Sequence, residues 1–236
     1  TYNATSASRI YGDANPTLSG TITGFKLSQG VADLGGTVAW TTTADGTSSV
    51  GHYAITGSGY TSGNYSFAQA AGNSTALEVT ARPITLTADN QSRHYGDTNP
   101  TTGTYLITSG SLVNSDALNT TLNVSSPATV TSNVGGYTLT PSNATFSTGA
   151  AGNYAITYAD GTLNVTARPI TLTANDQSRY YGSANPTTGS FTMTSGSLAN
   201  SDALNTTLSV SSPATATDHA GSTSALTPSS ASFSTG

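Results

Sequence analysis

Short stretches of the chain alternate apolar side chains with threonine or serine. In the segment 84–87, Ile84 and Leu86 fall on one face and two threonines on the other, which predicts a half-buried β-strand. The segments 134–139 and 152–158 alternate in the same way and predict two more strands. Between the first and second of these strands, Ser115 or Asp116 is placed to cap a single helical turn over 114–118. The pattern therefore predicts a mainly β fold.

Two kinds of turn separate these strands. One is Tyr-Gly-x-x-Asn-Pro, in which glycine can take a positive φ and proline fixes its own φ, so a fixed turn with tyrosine as its packing anchor is expected. The other is Asp160-Gly161, which suits a type I′ turn and predicts a hairpin between the strands on either side. The structural turn residues predicted in this way are Tyr11, Gly12, Asn15, Pro16, Tyr95, Gly96, Asn99, Pro100, Tyr181, Gly182, Asn185 and Pro186.

The chain repeats itself. The octapeptide at 81–88 returns unchanged at 167–174, and 39 of the 52 residues in 81–132 are identical to those in 167–218. A period near 86 residues is too long for a solenoid repeat and fits a small independent domain. Each repeat is therefore expected to be a small β domain with its own core and at most one short helix.

The repeats predict three domains. The first covers 1–80 with a truncated first strand, the second covers 81–166 and is complete, and the third covers 167–236 and lacks the final hairpin. Only about four residues separate the last strand of one domain from the first strand of the next, which predicts a semi-rigid array. The domain seam residues predicted at these junctions are Arg82, Pro83, Arg168 and Pro169.

Composition narrows the possible partners. The formal charge is −5, only 7% of residues are charged, and six cations cannot form the basic stripe that nucleic acid requires. No apolar run is long enough to cross a bilayer, so no membrane insertion is expected of this segment. Cysteine is absent, and a cysteine-free, lysine-poor chain rich in Thr, Ser and Gly is typical of exported bacterial surface proteins. A secreted or cell-surface location is expected.

The turn motifs, taken together, resemble a known family. Tyr-Gly-x-x-Asn-Pro occurs three times, and Gly-Asn-Tyr follows it at 63–65 and 152–154, as in the YGX-type MBG repeat of large bacterial adhesins and filamentous-haemagglutinin-like exoproteins. The resemblance implies a small, mainly β domain, β-grasp-like or sandwich-like, that serves as a stalk or interaction module and carries no catalytic residue. Repeat three departs from the pattern at 220–224, where Val-Gly-Gly-Tyr-Thr is replaced by Ala-Gly-Ser-Thr-Ser.

Candidate chemistry can be tested by recurrence, since a shared site should appear in every repeat. His52, His94 and His219 occupy non-equivalent positions, so neither catalysis nor a histidine metal site is predicted, and no cofactor is expected. Oxygen ligands for calcium stand near the turn, where Asn and Asp more often bond backbone groups; they are Asp89, Asn90, Asp97, Asn175 and Asp176.

Two further groups of residues have alternative interpretations. The recurring arginines Arg82, Arg168, Arg93 and Arg179 are expected to pin the backbone, with glycan or carboxylate contact as the alternative. Aromatic side chains that suit the face of a sugar ring are more often core residues; they are Trp40, Tyr60, Tyr105 and Phe191.

These observations favour a non-enzymatic stalk in a secreted or surface-attached bacterial adhesin, which projects a binding tip or builds biofilm matrix. One alternative is a glycan- or mucin-binding module that acts through avidity. Another is an extracellular fibre that assembles by strand donation to the third repeat. Extracellular glycans and neighbouring copies of the chain are accordingly the partners to consider.

Overall fold

A computed structural model of the chain describes residues 1–235; Gly236, the predicted end of the third repeat, lies outside the described residues. The fold is mainly β, which confirms the predicted fold class. The described residues contain no α-helix and three short 3₁₀ helices, at Val31–Asp33, Ala71–Thr75 and Ala151–Asn153.

The strands are numbered in chain order. Strands β1 to β7 are Tyr2–Ala4, Ala7–Ile10, Gly20–Ile22, Gly35–Thr41, Gly51–Tyr53, Thr56–Thr61 and Leu77–Thr80. Strands β8 to β17 are Arg82–Ala88, Gln91–His94, Thr102–Gly103, Tyr105–Ser109, Ala117–Leu118, Leu122–Ser125, Gly135–Ser142, Phe146–Thr148, Tyr154–Ala159 and Gly161–Thr166. Strands β18 to β24 are Thr171–Ala174, Thr188–Gly189, Phe191–Ser195, Ala203–Leu204, Leu208–Ser211, Thr227–Ser229 and Phe233–Thr235.

The chain divides into two compact units. Unit 1 comprises Thr1–Asp89, Thr101–Val124 and Thr140–Gly161, and unit 2 comprises Asn90–Pro100, Ser125–Leu139 and Thr162–Gly236. Unit 1 therefore contains the junction between the first two repeats, and unit 2 contains the junction between the last two.

Unit 1 contains two mixed sheets built around a central strand. Strand β7 lies between β2, to which it is parallel, and β5, to which it is antiparallel. Strand β8 lies between antiparallel β11 and parallel β16. Ile84 and Leu86 are buried while Thr85 and Thr87 are partly exposed, which confirms the half-buried strand predicted from their alternation. A separate core in the first repeat joins Ile55 and Leu77 to the indole of Trp40.

Unit 2 has the same kinds of pairing. Strand β17 runs parallel to β9, and its Leu163 and Val165 are buried. Strand β18 pairs with β20, β22 lies between β19 and β23, and β21 pairs with β24. Leu208 and Val210 of β22 supply the buried face in the third repeat.

The predicted hairpin at Asp160-Gly161 is wrong. Strand β16 pairs with β8 and strand β17 pairs with β9, so the two strands belong to different sheets. Gly161 is absent from the residues with positive φ, which a type I′ turn requires. Glycine at position 161 instead allows two backbone segments to approach closely, because a Cβ at Gly161 would lie 2.4 Å from the carbonyl oxygen of Ala88.

The helical turn predicted over 114–118 is also absent. Asn114 and Ser115 have φ values of 54° and 61°, in the left-handed region, and a right-handed turn cannot include them. Ala117–Leu118 is instead a short strand that pairs with Phe146–Thr148.

Candidate functional site

The three Tyr-Gly motifs form the same turn. The amide nitrogen of the residue after each glycine bonds the carbonyl oxygen of the residue before the tyrosine, at 3.1 Å in each case. The glycines have φ values of 88°, 87° and 80°, as the third residue of a type II turn requires. The turns are Ile10–Asp13, His94–Asp97 and Tyr180–Ser183.

An arginine two residues before each Tyr-Gly pair holds this turn in place. In the second repeat, Arg93 is 7% exposed; its Nε donates to Asn99 Oδ1 at 2.7 Å and its Nη2 to the Thr129 carbonyl at 2.5 Å. Asn99 Nδ2 then donates to the Ala128 carbonyl at 2.6 Å. We call Arg93, Asn99 and the carbonyls of Ala128 and Thr129 the Arg–Asn clamp of this repeat. Its guanidinium is occupied by acceptors within the repeat.

The clamp recurs in full in the first repeat and in part in the third, with the same sequence spacing. In the first repeat, Arg9 is 6% exposed, donates to Asn15 Oδ1 at 2.8 Å and also bonds the Asp45 carbonyl, which is 36 residues further along. In the third repeat, Arg179 bonds the Thr215 carbonyl and donates to the Ser183 carbonyl at 3.2 Å. The asparagines Asn15 and Asn185 donate at 2.6 Å to carbonyls 29 residues further along, as Asn99 does.

The first seam, within unit 1, is the contact between the turn at Tyr11 and the second repeat. Tyr11 is 4% exposed, and its hydroxyl donates to Asp116 Oδ2 at 3.0 Å. Its ring meets the ring of Tyr154 edge-on, with 5.7 Å between centroids. A Cβ on Gly12 would lie 2.4 Å from Val113 Cγ2, so only glycine fits there.

The second seam, within unit 2, repeats these contacts one repeat further along. The hydroxyl of Tyr95 donates to Asp202 Oδ1 at 3.4 Å. A Cβ on Gly96 would lie 2.2 Å from the Cβ of Ala199, which stands where Val113 stands in the first seam. An apolar cleft of about 390 Å³ adjoins this seam, and Phe233 contributes to its lining.

A second arginine crosses each seam. Arg82 Nε donates to the Tyr11 carbonyl at 2.7 Å, and Arg168 Nε donates to the Tyr95 carbonyl at the same distance. Their Nη2 atoms form ion pairs with Asp13 and Asp97, respectively. Both carboxylates are about half exposed, so the ion pair itself contributes little, and the bond to the turn carbonyl sets the position of the arginine.

An asparagine completes each seam. Asn114 Nδ2 donates to the Gly46 carbonyl at 3.0 Å in the first seam, and Asn200 Nδ2 donates to the Val130 carbonyl at 2.9 Å in the second. Pro83 and Pro169, the other predicted seam residues, are exposed. Of the four predicted seam residues, the two arginines are therefore the ones that make contacts across the seams, and the prolines stand next to them.

The other candidate groups are placed apart from one another. The described residues contain no group of three or more His, Cys, Asp or Glu side chains arranged to hold a metal ion. Asp89 Oδ2 accepts from Thr104 at 2.6 Å, and Asn90 Oδ1 accepts from the amide of Thr162 at 2.8 Å. These oxygens accept from a hydroxyl group and a backbone amide that lie 15 and 72 residues further along the chain. No helix among the described residues has the length and apolarity needed to span a bilayer.

The aromatic candidates for sugar contact are partly buried. Trp40 packs edge-on against Tyr2 at 5.8 Å between centroids, and Tyr60 stacks on the same ring at 6.5 Å. The Tyr105 hydroxyl donates to the Asn119 carbonyl at 2.8 Å, and burial raises the pKa of Tyr105. A polar groove of about 640 Å³ lies nearby in unit 1, lined by Asn119, Thr120, Asn123, Asn143 and Thr145 among others.

Tyr154 predicts how the first seam responds to pH. Its hydroxyl is buried and donates to Asp116 Oδ2 at 2.8 Å; burial is the main cause that raises its pKa to about 12, and the carboxylate adds to it. Since an unfolded tyrosine titrates near pH 10, this contribution to stability is fully present below about pH 10 and is lost as pH rises towards 12. Urea unfolding between pH 8 and pH 11.5 should show a steeper alkaline loss in the natural chain than in the Tyr154→Phe variant. Equal slopes would contradict the assignment.

The chain is thus a tandem array of small β repeats, in which the Tyr-Gly turn of one repeat docks onto the next. The family model of the MBG domain (YGX type) matches residues 1–75, 84–164 and 170–234, so the chain belongs to this family. This confirms the family resemblance drawn from the turn motifs. Neither the curated proteins nor the solved structures contain a significant match. The domain boundaries at 80/81 and 166/167 stay predictions.

Sequence reasoning missed three parts of the site. Arg9 was not grouped with Arg93 and Arg179, although all three stand two residues before Tyr-Gly. The partner loop of each arginine carried no signal, because its acceptors are backbone carbonyls that any residue supplies. Asp116 was predicted only as a possible helix cap and Asp202 was not singled out, although their recurrence 86 residues apart marks them as equivalent positions.

Proposed function

We propose that the chain is a non-enzymatic stalk of a secreted or surface-attached bacterial adhesin, projecting a binding tip or building biofilm matrix. The observation that carries this proposal is that the two seams are held by the same contacts. At each one, a tyrosine hydroxyl bonds an aspartate, an arginine bonds the turn carbonyl and an asparagine bonds a loop carbonyl. A spacer needs such a joint, because every repeat must be fixed to the next in the same way.

The non-enzymatic part of the proposal rests on how the polar groups are used. Turn and seam side chains bond backbone carbonyls or each other, and the described residues have no buried side-chain nitrogen or oxygen without a hydrogen bond. Catalytic groups are instead directed at a position that a reacting atom can occupy. The membership of a family of tandem MBG repeats agrees with a structural role at the cell surface.

Glycan binding is a second candidate, and the polar groove in unit 1 favours it. Amides and hydroxyls of Asn119, Asn123 and Thr145 line an open depression large enough for a short oligosaccharide. The lining lacks an aromatic side chain on which a sugar ring could stack. For this reason the stalk function is the better supported.

Small-angle X-ray scattering tests the stalk. A repeat of about 86 residues has a radius of gyration near 12 Å and adds roughly 30 to 40 Å to an extended array. We expect a maximum dimension that grows by this amount when a further repeat is added, and broader distance distributions for the Arg82→Ala, Arg168→Ala double variant. A folded-back particle whose dimension stays constant would contradict the proposal. The same protein on a glycan array should give no signal, whereas binding lost on Asn123→Ala would favour the second candidate.

A further inference from the structure

The first repeat carries a surface that matches the one on which the Tyr11 turn docks. In the second repeat, the Tyr154 hydroxyl lies 3.1 Å from the amide nitrogen and 3.5 Å from the carbonyl oxygen of Val113, and it donates to Asp116. In the first repeat, the Tyr65 hydroxyl lies 3.1 Å and 3.4 Å from the same two atoms of Lys26, and it donates to Gln29 Oε1 at 2.5 Å. The two arrangements have the same geometry, with the amide oxygen of Gln29 in place of the carboxylate oxygen of Asp116.

The backbone beside this tyrosine is also the same. Leu27 and Ser28 have φ values of 54° and 58°, close to the 54° and 61° of Asn114 and Ser115. A third pair, Asn200 and Ser201, has 53° and 64° at the second seam. Leucine is disfavoured in this left-handed region, and Leu27 is also 92% exposed. We call Lys26–Gln29 together with Tyr65 the acceptor face of the first repeat.

The third repeat carries the matching turn without a partner among the described residues. Tyr181 is 68% exposed, whereas Tyr11, in the equivalent position, is 4% exposed. A Cβ on Gly182 would meet nothing within 4 Å, whereas Cβ atoms on Gly12 and Gly96 would overlap the neighbouring repeat. The turn that docks at both seams is thus already formed in the third repeat and open to solvent.

We propose that the acceptor face of one molecule binds the Tyr181-Gly182 turn of a second copy, so that molecules associate head to tail. At both seams, an equivalent Tyr-Gly turn occupies the equivalent face of the next repeat. The Tyr181 hydroxyl donates to Gln29 Oε1, as Tyr11 donates to the Asp116 oxygen that also accepts from Tyr154. Because the two surfaces differ, the contact is heterologous and does not close, and chains of molecules grow with concentration.

This intermolecular contact is weaker than the seams for three reasons. The acceptor face has no arginine to bond the turn carbonyl as Arg82 and Arg168 do. Ser183 stands where Asp13 and Asp97 form ion pairs with the seam arginines, so that ion pair is missing. Leu27 stands where Asn114 and Asn200 donate to a loop carbonyl. In the third repeat, the carbonyl equivalent to Val130 is that of Ala216, since it bonds the Gly182 amide as Val130 bonds the Gly96 amide. An asparagine at position 27 would have this acceptor available.

Sedimentation equilibrium of the whole chain over a range of concentrations tests the proposal. The apparent mass should rise above 23.6 kDa with concentration. The Tyr181→Ala variant should weaken association about tenfold or more, while Tyr180→Ala, which alters the adjacent and more exposed tyrosine, should leave it unchanged. Leu27→Asn should strengthen association by several fold, because it restores the seam hydrogen bond and relieves the left-handed leucine. Circular dichroism of each variant verifies folding.

A mixing experiment identifies the two surfaces. Tyr181→Ala keeps only the acceptor face, and Leu27→Asp keeps only the turn, so each variant alone should stay monomeric. Their mixture should stop at a dimer, because the one intact acceptor face and the one intact turn bind each other and the two mutated surfaces cannot bind a further molecule. A chain that stays at 23.6 kDa at all concentrations would overturn the proposal. So would association that persists in Tyr181→Ala but disappears when residues 150–166 are appended after Gly236, since that result indicates strand donation. Neither outcome bears on the stalk function.

Discussion

Replacing Arg93 with alanine is expected to lower the free energy of unfolding of the second repeat by about 3 kcal/mol, since each of the three hydrogen bonds that are lost contributes about 1 kcal/mol. The side chain is 7% exposed and donates to Asn99 Oδ1, to the Thr129 carbonyl and, at 3.1 Å, to the His94 carbonyl. Alanine removes the donor from these three partly buried hydrogen bonds and releases the loop at 128–129 from the turn. A loss of this size is a large share of the roughly 5 to 15 kcal/mol that stabilises a domain.

Urea unfolding followed by circular dichroism measures this loss, and hydrogen exchange of the segments around Asn99 and Thr129 assigns it to the clamp. Arg179→Ala is the matched control, because Arg179 has the same position in the third repeat but is more exposed and bonds only backbone carbonyls. We expect about 1 kcal/mol in total for the control, because its three hydrogen bonds are exposed and water can replace them. Arg93→Lys should recover little, since an ammonium cannot reproduce the planar fork. Equal losses in the two alanine variants would show that burial of the clamp is unimportant.

The strands were predictable because their signal is local. Alternation places Ile84 and Leu86 on one face whatever lies elsewhere in the chain, and both side chains are buried. The Tyr-Gly turn was predictable for the same reason, since a glycine with positive φ and a nearby proline define it within six residues. The recurring turn motifs also predicted the family.

The hairpin and the seam contacts were not predictable from local signals. Asp-Gly favours a type I′ turn, but β16 extends the sheet of β8 while β17 pairs with β9, and these pairings join residues about 72 positions apart. The acceptor of Arg93 on the loop is 36 residues away and is a carbonyl group, which has no sequence signature. Asp116 meets Tyr11 across 105 residues, and only the recurrence of both residues links them.

The turn glycine at the second seam provides the second large expected effect. Gly96 and Gly182 occupy the same turn with φ values of 87° and 80°, so an alanine at either position carries a similar backbone cost of about 1 to 2 kcal/mol. Only at Gly96 would the new Cβ overlap a neighbour, at 2.2 Å from the Ala199 Cβ. We expect Gly96→Ala to cost ~1 to 3 kcal/mol more than Gly182→Ala, the usual cost of overpacking a contact.

A second substitution that removes the clash distinguishes the effect of the clash from that of backbone strain. Ala199→Gly removes the overlapping methyl group, so the Gly96→Ala, Ala199→Gly double variant should regain most of the excess loss, and a double-mutant cycle gives the coupling between the two positions. Thermal unfolding at dilute concentration, where molecules do not associate, provides the free energies. Limited proteolysis around residue 168 should show the seam opening in Gly96→Ala and closing again in the double variant. Equal losses for Gly96→Ala and Gly182→Ala, with no coupling to position 199, would mean that packing at the second seam does not depend on glycine at position 96. The expected excess loss and its rescue would show that the absence of a side chain at Gly96 allows the turn to pack against the next repeat.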